Sequence, residues 1–256
     1  MQNLTVAVVQ QEIVPNNPQH NLATFSLALG NLANCDLIAL PEVFTTGFCA
    51  NARNFAEAVD GAAYTWMADH AKKLNAVITG SLVVKEHDNY FNRMVWMRTD
   101  GSYTHYDKRH LFRMGGEHMR YQCGKERIIV ELKGWRILPL VCYDLRFPVW
   151  SRNRNDYDLS IYVANWPSSR ALHWNRLLQA RAIENQAYVV GVNRVGMDEV
   201  HQHYVGDSAI YGPAGEVIIH SQEPGSFFAE LYGDKLLEYR EKFPAYMDAD
   251  EFELKV

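Results

Sequence analysis

Glu42 closes the apolar run "LIAL" after Pro41, Lys108 closes "YTHYD", and Cys142 closes "ILPLV". A carboxylate, an ammonium and a thiol therefore each stand where a strand-like segment stops. Brought together, they form a complete nucleophilic site. The carboxylate can take the thiol proton, the sulfur can attack a carbonyl carbon, and the ammonium can stabilise the oxyanion that forms. Unassisted cysteine has a pKa of ~8.5, so the base is needed near neutrality. Taken singly, each residue has an ordinary reading. Cysteine is often a small buried hydrophobe, and acids and lysines at strand ends are commonly solvated. Their joint occurrence is what points to chemistry.

The elements that must position them follow from hydrophobic periodicity. "LTVAVVQ" and "DLIALPEVF" read as strands, and "NPQHNLATFSLALGNLANC" as a helix with Leu22, Phe25, Leu29 and Leu32 on one face. "GAAYTWMADHAKKLN" repeats that pattern with Ala63, Met67, Ala71 and Leu74. Strands joined at "HDN" and "TDG" come next, then "RIIVEL" and "WRILPLVCY" about Lys133-Gly134. A short helical stretch follows Pro148. "DLSIYVANW", the helix "ALHWNRLLQARAIENQAY", and the strands "VVGVNRVG", "SAIYGPAGEVI" and "SFFAELY" complete the series. Strands alternate with helices while hairpins interrupt the alternation, which predicts an α/β layered fold with mixed sheets. In such sheets ligands gather beyond the strand ends.

The chain has 256 residues, 48% of them hydrophobic, with no linker, repeat or low-complexity tract, so one domain over 1–256 is expected. The charged tail 234–256 is expected to pack on the outside or at a subunit interface. A net charge of −5 without a basic block argues against nucleic acid or an anionic membrane as partner. "MQNLTVAVVQQ" lacks the basic region and long apolar core of a signal peptide, and no apolar run approaches the ~20 residues of a membrane span. Cys35, Cys49, Cys123 and Cys142 show no CxxC spacing. A reduced, cytoplasmic protein is the simplest expectation.

The ordered motifs "ALPEVF…YDKRHLF…VCYDLRFP" resemble the nitrilase (carbon–nitrogen hydrolase) superfamily, and the likeness runs from "VAVVQ" to "GPAGEV". "HWNRLLQARAIENQAYVVGVNRVG" is similar to the helix and strand that follow the nucleophile in that family. The resemblance implies a single-domain, four-layer αββα sandwich with two mixed β-sheets. It also implies a catalytic triad: Glu42 as general base, Lys108 as oxyanion cation, Cys142 as nucleophile. No metal and no organic cofactor are required. "CYDLRFP" is similar to the amidase branches, because nitrile-cleaving members carry Trp-Glu where this chain has Tyr143-Asp144. "FRMGGEH" with "ANWPSSR" resembles the bacterial omega-amidases. These imply a small-molecule 2-oxo acid amide as substrate, such as 2-oxoglutaramate or 2-oxosuccinamate, and a role beside glutamine transamination and methionine salvage. They also imply a homodimer or larger homo-oligomer. Amidases of deaminated glutathione share "CYD" and "RF" and stay open as an alternative, as does an inactive binding domain on the same fold.

Further candidates surround the triad. Glu117, in "GGEHM", resembles a second glutamate of the family that could position Lys108 or the attacking water; an exposed loop acid is the competing reading. Tyr143 could lend its backbone N–H to the oxyanion. Arg146 could clamp a substrate carboxylate or anchor its own loop against Asp144. Asn165 and Trp166 end a strand and could shape the pocket, Trp166 as a flat wall that favours short or apolar acyl chains. A papain-like arrangement would pair Cys142 with His110, His118 or His173 and leave Glu42 and Lys108 without a role. "HQH" at 201–203 lacks further ligands at zinc spacing.

Overall fold

A computed structural model describes residues 1–30, 32 and 34–255. The opening segment "LTVAVVQ" is β1 (Leu4–Gln10), and its alternation serves two cores at once. Leu4, Val6 and Val8 face one, Ala7 and Val9 the other. α1 (Pro18–Leu29) starts with proline in its first turn, while the Asn17 side chain accepts the His20 N–H at 3.2 Å. It ends before Gly30, earlier than the stretch to Cys35 suggested, as glycine's backbone freedom favours a stop there. Positions 31 and 33 of that stretch lie outside the described residues. Then come β2 (Leu37–Ala39), β3 (Glu57–Ala58), α2 (Ala62–Leu74), β4 (Val77–Glu86), β5 (Asn89–Met97) and β6 (Tyr103–Asp107).

The second half builds β7 (Val130–Leu132), β8 (Trp135–Val141), α3 (Pro148–Ser151), β9 (Leu159–Val163), α4 (Ala171–Asn185) and β10 (Tyr188–Val192). A small hairpin of β11 (Val195–Met197) and β12 (His203–Val205) follows, unforeseen because its polar sequence carries no apolar run. β13 (Ser208–Tyr211), β14 (Val217–Ser221), β15 (Gly225–Leu231) and α5 (Gly233–Lys242) complete the chain's regular elements.

Two mixed sheets result. The first runs β15-β1-β2-β4-β5-β6, with β3 also paired to β4; the second runs β14-β13-β10-β9-β8-β7. In each, a parallel trio (β1, β2, β4 and β8, β9, β10) is extended by antiparallel strands. β15 returns to close the first sheet, Leu231 opposite Leu4 and Gly225 opposite Gln10. One core fills the space between the sheets, where Leu4, Val6, Trp96 and Tyr106 meet Ile137, Leu140 and Tyr162. The outer face of the first sheet carries α1 and α2 through Phe25, Leu29, Tyr64 and Met67. α4 covers the second sheet with Trp174, Leu178 and Ala182. The order is helix, sheet, sheet, helix, the αββα sandwich. α4 lies so close to β10 that a Cβ at Gly191 would collide with the Leu178 and Trp174 side chains.

The tail folds back on its own chain. Leu236 of α5 is fully buried, and Arg240 reaches Asp158 at 2.8 Å and the carbonyls of Gln186 and Tyr157 at 2.9 Å. Val256, the last residue of the expected tail, lies outside the described residues. Among the described residues no helix is long and apolar enough to cross a membrane.

Candidate active site

The loops after β2, β6 and β8 converge at one end of the two sheets. Glu42 is wholly buried, and its side chain is fixed from three directions. Oε1 accepts from Lys108 Nζ and Asn92 Nδ2, each at 2.8 Å; Oε2 accepts the Asn165 backbone N–H at 2.8 Å. Asn165 also donates through Nδ2 to the Glu42 carbonyl at 2.5 Å, so it binds both ends of the residue. The turn after Glu42 needs an unusual backbone: Val43 holds φ at +40°, a left-handed value that a β-branched side chain resists. The Ser81 hydroxyl at 2.8 Å from the Val43 N–H helps keep it there. Such strain persists only where the surroundings over-determine it.

Lys108 follows β6 directly and is as buried as Glu42. Its Nζ lies 2.8 Å from Glu42 Oε1 and 2.8 Å from Glu117 Oε2. Burial alone would push this ammonium down, but Glu117 and then Glu42 outweigh it, so its pKa stands well above the usual lysine range. Lys108 is therefore a fixed cation. Glu117 is not an exposed loop acid. The short turn Glu117–Met119 buries it, and its Oε2 also accepts the Phe112 N–H at 2.5 Å.

Asn92, which sequence reasoning passed over, links both carboxylates, donating to Glu42 at 2.8 Å and Glu117 at 3.3 Å. The available signal was a polar amide in the interior of a strand, a place where asparagine is depleted.

Cys142 begins the short helical turn that follows β8 and adopts φ of +44°. The thiol shares one cavity with the Glu42 carboxylate and the Lys108 ammonium. Burial chiefly, and the Glu42 charge after it, push the thiol well above its ordinary range, against the lowering pull of Lys108. Asp144 secures this turn: Oδ2 accepts the Val141 N–H at 3.0 Å and the Tyr106 hydroxyl at 2.8 Å, and Oδ1 accepts the His110 N–H at 2.9 Å. The loop carrying Cys142 and the loop carrying Lys108 are thus pinned to one buried carboxylate.

The remaining candidates divide. Asn165 lines the cavity. Tyr143 sets its ring edge-on to Phe112 and Phe147, each with centroids 5.1 Å apart, in a small pouch beside Cys142. The anchoring of Arg146 to Asp144 is corrected, because Asp144 is taken up by Val141, Tyr106 and His110. Arg146 instead donates to His173 Nδ1 at 3.1 Å and lies 4.7 Å over the Trp166 ring. That stacking also corrects the broad Trp166 wall. The indole is buried against Trp174, donates to the Arg170 carbonyl at 2.8 Å, and reaches only the pouch. His110 Nδ1 is engaged with Asp144 at 2.8 Å, its ring stacked on Phe147, so Glu42 and no histidine partners the thiol. Among the described residues no group of three or more His, Cys, Asp or Glu is placed to hold a metal, the residues of "HQH" included.

A cavity of about 360 Å³ opens onto Glu42, Lys108 and Cys142. Phe48, Phe112 and Pro167 give it apolar walls, and Arg170 a cationic one. The tip of the β11–β12 hairpin, Asp198 to Gln202, covers part of it, with Glu199 accepting the Ala50 N–H at 2.9 Å across the opening. A larger cleft of about 740 Å³, between Arg152–Asn155 and the segment from Tyr246 to Glu253, contains none of these residues.

Two stacked mixed sheets with Glu, Lys and Cys gathered at one edge define a carbon–nitrogen hydrolase architecture. The carbon-nitrogen hydrolase family model matches residues 5–227, and the chain belongs to that family. It is 50% identical to omega-amidase YafV of Escherichia coli (strain K12), a match covering 99% of this chain and 100% of that protein. It is 32% identical to 2-oxoglutaramate amidase of Bacillus subtilis (strain 168), over 95% and 96% of the two chains. Among solved structures, XC1258 from Xanthomonas campestris superposes with a TM-score of 0.98 at 44% identity over the whole of both chains. It is described as a CN-hydrolase superfamily protein with an arsenic adduct in the active site.

Proposed function

We propose that this chain is an omega-amidase, a thiol hydrolase that converts 2-oxo acid amides such as 2-oxoglutaramate or 2-oxosuccinamate to the 2-oxo acid and ammonia. One observation carries the chemistry: Cys142 opens onto the same cavity as Glu42, whose carboxylate is held 2.8 Å from Lys108 Nζ. Full-length likeness to omega-amidase and 2-oxoglutaramate amidase supports the choice of amide.

The chemistry runs in two halves. Glu42 accepts the thiol proton as sulfur attacks the amide carbonyl, and Lys108 with the Tyr143 N–H holds the oxyanion. Donors of that kind each contribute about 10²–10³-fold in rate. The protonated Glu42 then gives its proton to the leaving nitrogen, the C–N bond breaks, and ammonia departs from a thioester on Cys142. In the second half, water loses a proton to Glu42 and attacks the thioester. The C–S bond breaks, the acid leaves, and the proton returns from Glu42 to sulfur. Glu117 and Asn92 keep Lys108 and Glu42 in register throughout. Arg146 and Asn165 border the acyl group, and Trp166 backs the pouch.

A role in recovering 2-oxo acids after glutamine transamination and in methionine salvage, a cytoplasmic setting, and assembly into a dimer or larger oligomer belong to the same reading. Thiols at Cys49, Cys123 and Cys142 support the reducing compartment. Leu237, Phe243 and Met247, exposed together on the C-terminal segment, support the assembly.

The test is ammonia release from 2-oxoglutaramate by wild type and Cys142→Ala. Turnover by the wild type that the substitution abolishes is the expected result. Undiminished turnover in Cys142→Ala would end the triad assignment, and preference for deaminated glutathione would replace the substrate.

A further inference from the structure

We propose that Arg170, set beside Arg146, selects substrates that carry a carboxylate at the far end of the acyl chain. The proposal rests on the omega-amide reading above and names the residue that recognises the acid end of the molecule.

Arg170 lines both the main cavity, with Glu42, Lys108 and Cys142, and the small pouch, with Tyr143 and Arg146. Its position is set by its surroundings. The Trp166 indole donates to its carbonyl at 2.8 Å, and its guanidinium lies 5.5 Å over the Phe112 ring. Among the described residues that guanidinium has no hydrogen-bond acceptor and no acidic partner. The other charged groups that line the cavity each have a partner in the fold. Asp198 accepts the Val200 and Gln202 N–H groups and the Tyr204 hydroxyl. Glu199 accepts from Ala50 and Asn16. Arg120 donates to the Gly115 carbonyl at 2.6 Å. Arg120 keeps a buried Nε without a partner, but it lines only the main cavity, whereas Arg170 lines the cavity and the pouch and has a guanidinium with no hydrogen-bonding or acidic partner among the described residues.

Arg146 makes the spot more strongly anion-seeking. It too lacks an acidic partner, being bound to His173 and stacked on Trp166. Burial first, and then the Arg170 charge, depress its guanidinium. Two cations held together without an acid repel, and an anion between them relieves that repulsion. Arg170 is also the N-cap residue of α4, whose first turn has no side-chain cap. The positive end of that helix adds to the same field.

A 2-oxo acid amide has its amide at one end and its carboxylate at the other. With the amide carbon on Cys142, the carboxylate can extend through the main cavity of about 360 Å³ toward Arg170 and accept a two-pronged hydrogen bond. The preference for an anionic acyl chain then comes from Arg170 directly, with Arg146 supporting it.

The measurement is steady-state ammonia release by the full chain and by Arg170→Ala, Arg170→Lys and Arg146→Ala, with 2-oxoglutaramate and with butyramide, a neutral amide. Arg170→Ala is expected to raise KM for 2-oxoglutaramate about 10- to 100-fold and to lower the ratio of kcat/KM for the two amides by a similar factor. Arg170→Lys should recover part of that ratio, because it keeps the charge and loses the fork. Arg146→Ala should lower the ratio less than Arg170→Ala does. An unchanged ratio in Arg170→Ala overturns the proposal, as does Arg120→Ala lowering the ratio while Arg170→Ala does not. Wild type that cleaves butyramide and leaves 2-oxoglutaramate intact sinks the omega-amide reading itself, a different outcome from either.

Discussion

Glu117 Oε2 stands 2.8 Å from Lys108 Nζ, and both side chains are sealed from solvent, at 0% and 1% exposure. Lys108 is therefore shared between two buried carboxylates, with Glu117 the larger influence on its charge. The arrangement leaves Glu42 aimed at the thiol while the ammonium is held by an acid that does not touch the sulfur. Glu117→Gln keeps the shape and removes the charge. It is expected to lower kcat about 10²-fold, the scale of losing an electrostatic contact to the oxyanion, with a smaller change in KM. Glu117→Ala also leaves the Phe112 N–H without its acceptor, and should destabilise the fold by about 3 kcal/mol in urea unfolding. A Gln variant with wild-type kcat would remove Glu117 from the machinery.

Glu42 raises the Cys142 pKa and, in the proposed reaction, is also the group that takes its proton. Glu42→Gln separates these effects. Without the carboxylate charge the lowering influence of Lys108 is less opposed, so the thiol should ionise at lower pH than in the wild type. The pH dependence of iodoacetamide alkylation reads this directly. Amide turnover should fall by about 10²–10⁴-fold, because the base is gone. An alkylation profile shifted to higher pH would contradict the placement of Glu42.

Asp144 is buried and lines neither the cavity nor the pouch, yet it fixes the residue before Cys142 to the loop after Lys108. Asp144→Asn keeps an acceptor for one partner while turning an N–H₂ donor toward another. The expected stability loss is about 1–3 kcal/mol, the cost of a mismatched buried hydrogen bond. The diagnostic change is in kcat, since a nucleophile displaced by a fraction of an ångström loses alignment. If kcat holds while stability drops, Asp144 is only structural.

Much of this arrangement is legible in the sequence because it is local. β1 and β8 are mostly apolar, Glu42 and Cys142 stand just past apolar runs and Lys108 just past the strand "YTHYD", so their convergence follows from the alternation of strands and helices. Asn92 is different. Its meaning comes from carboxylates supplied by two other loops, and no pattern within "NYFNRMVWM" points to them. The β11–β12 hairpin was missed for a related reason: "VGMDEVHQHYV" holds its shape through Asp198 and buried Arg194 rather than through apolar periodicity. For Arg146, a carboxylate clamp and an anchor to an acid such as Asp144 are equally compatible with the sequence, since spacing along the chain cannot say that Asp144 turns to Tyr106 and His110. Arg170 ends the motif "ANWPSSR", but nothing in that stretch says that its guanidinium faces the cavity of Cys142.

Asp158 anchors the C-terminal helix and makes its docking depend on acid. This carboxylate is almost fully buried and receives Arg136 at 2.8 Å and Arg240 at 2.8 Å. Burial works to raise its pKa, but the hydrogen bonds and charge of Arg136, with Arg240 adding its charge, prevail and hold it below the usual aspartate range. An unfolded aspartate titrates near ~3.9. Above that pH the folded chain benefits fully from the ionised group, and the benefit is lost as the pH falls through the depressed folded value. Asp158→Asn should therefore cost about 3–5 kcal/mol at pH 7 by leaving Arg240 buried without its acid. The gap from wild type should close in acid below that value. Arg240→Ala leaves Arg136 in place and should cost less, about 1.5–3 kcal/mol. Urea titrations of the three proteins at neutral and acid pH measure both numbers. A gap between wild type and Asp158→Asn that stays constant into acid would mean that packing of Leu236, rather than the ion pair, holds α5 to the second sheet.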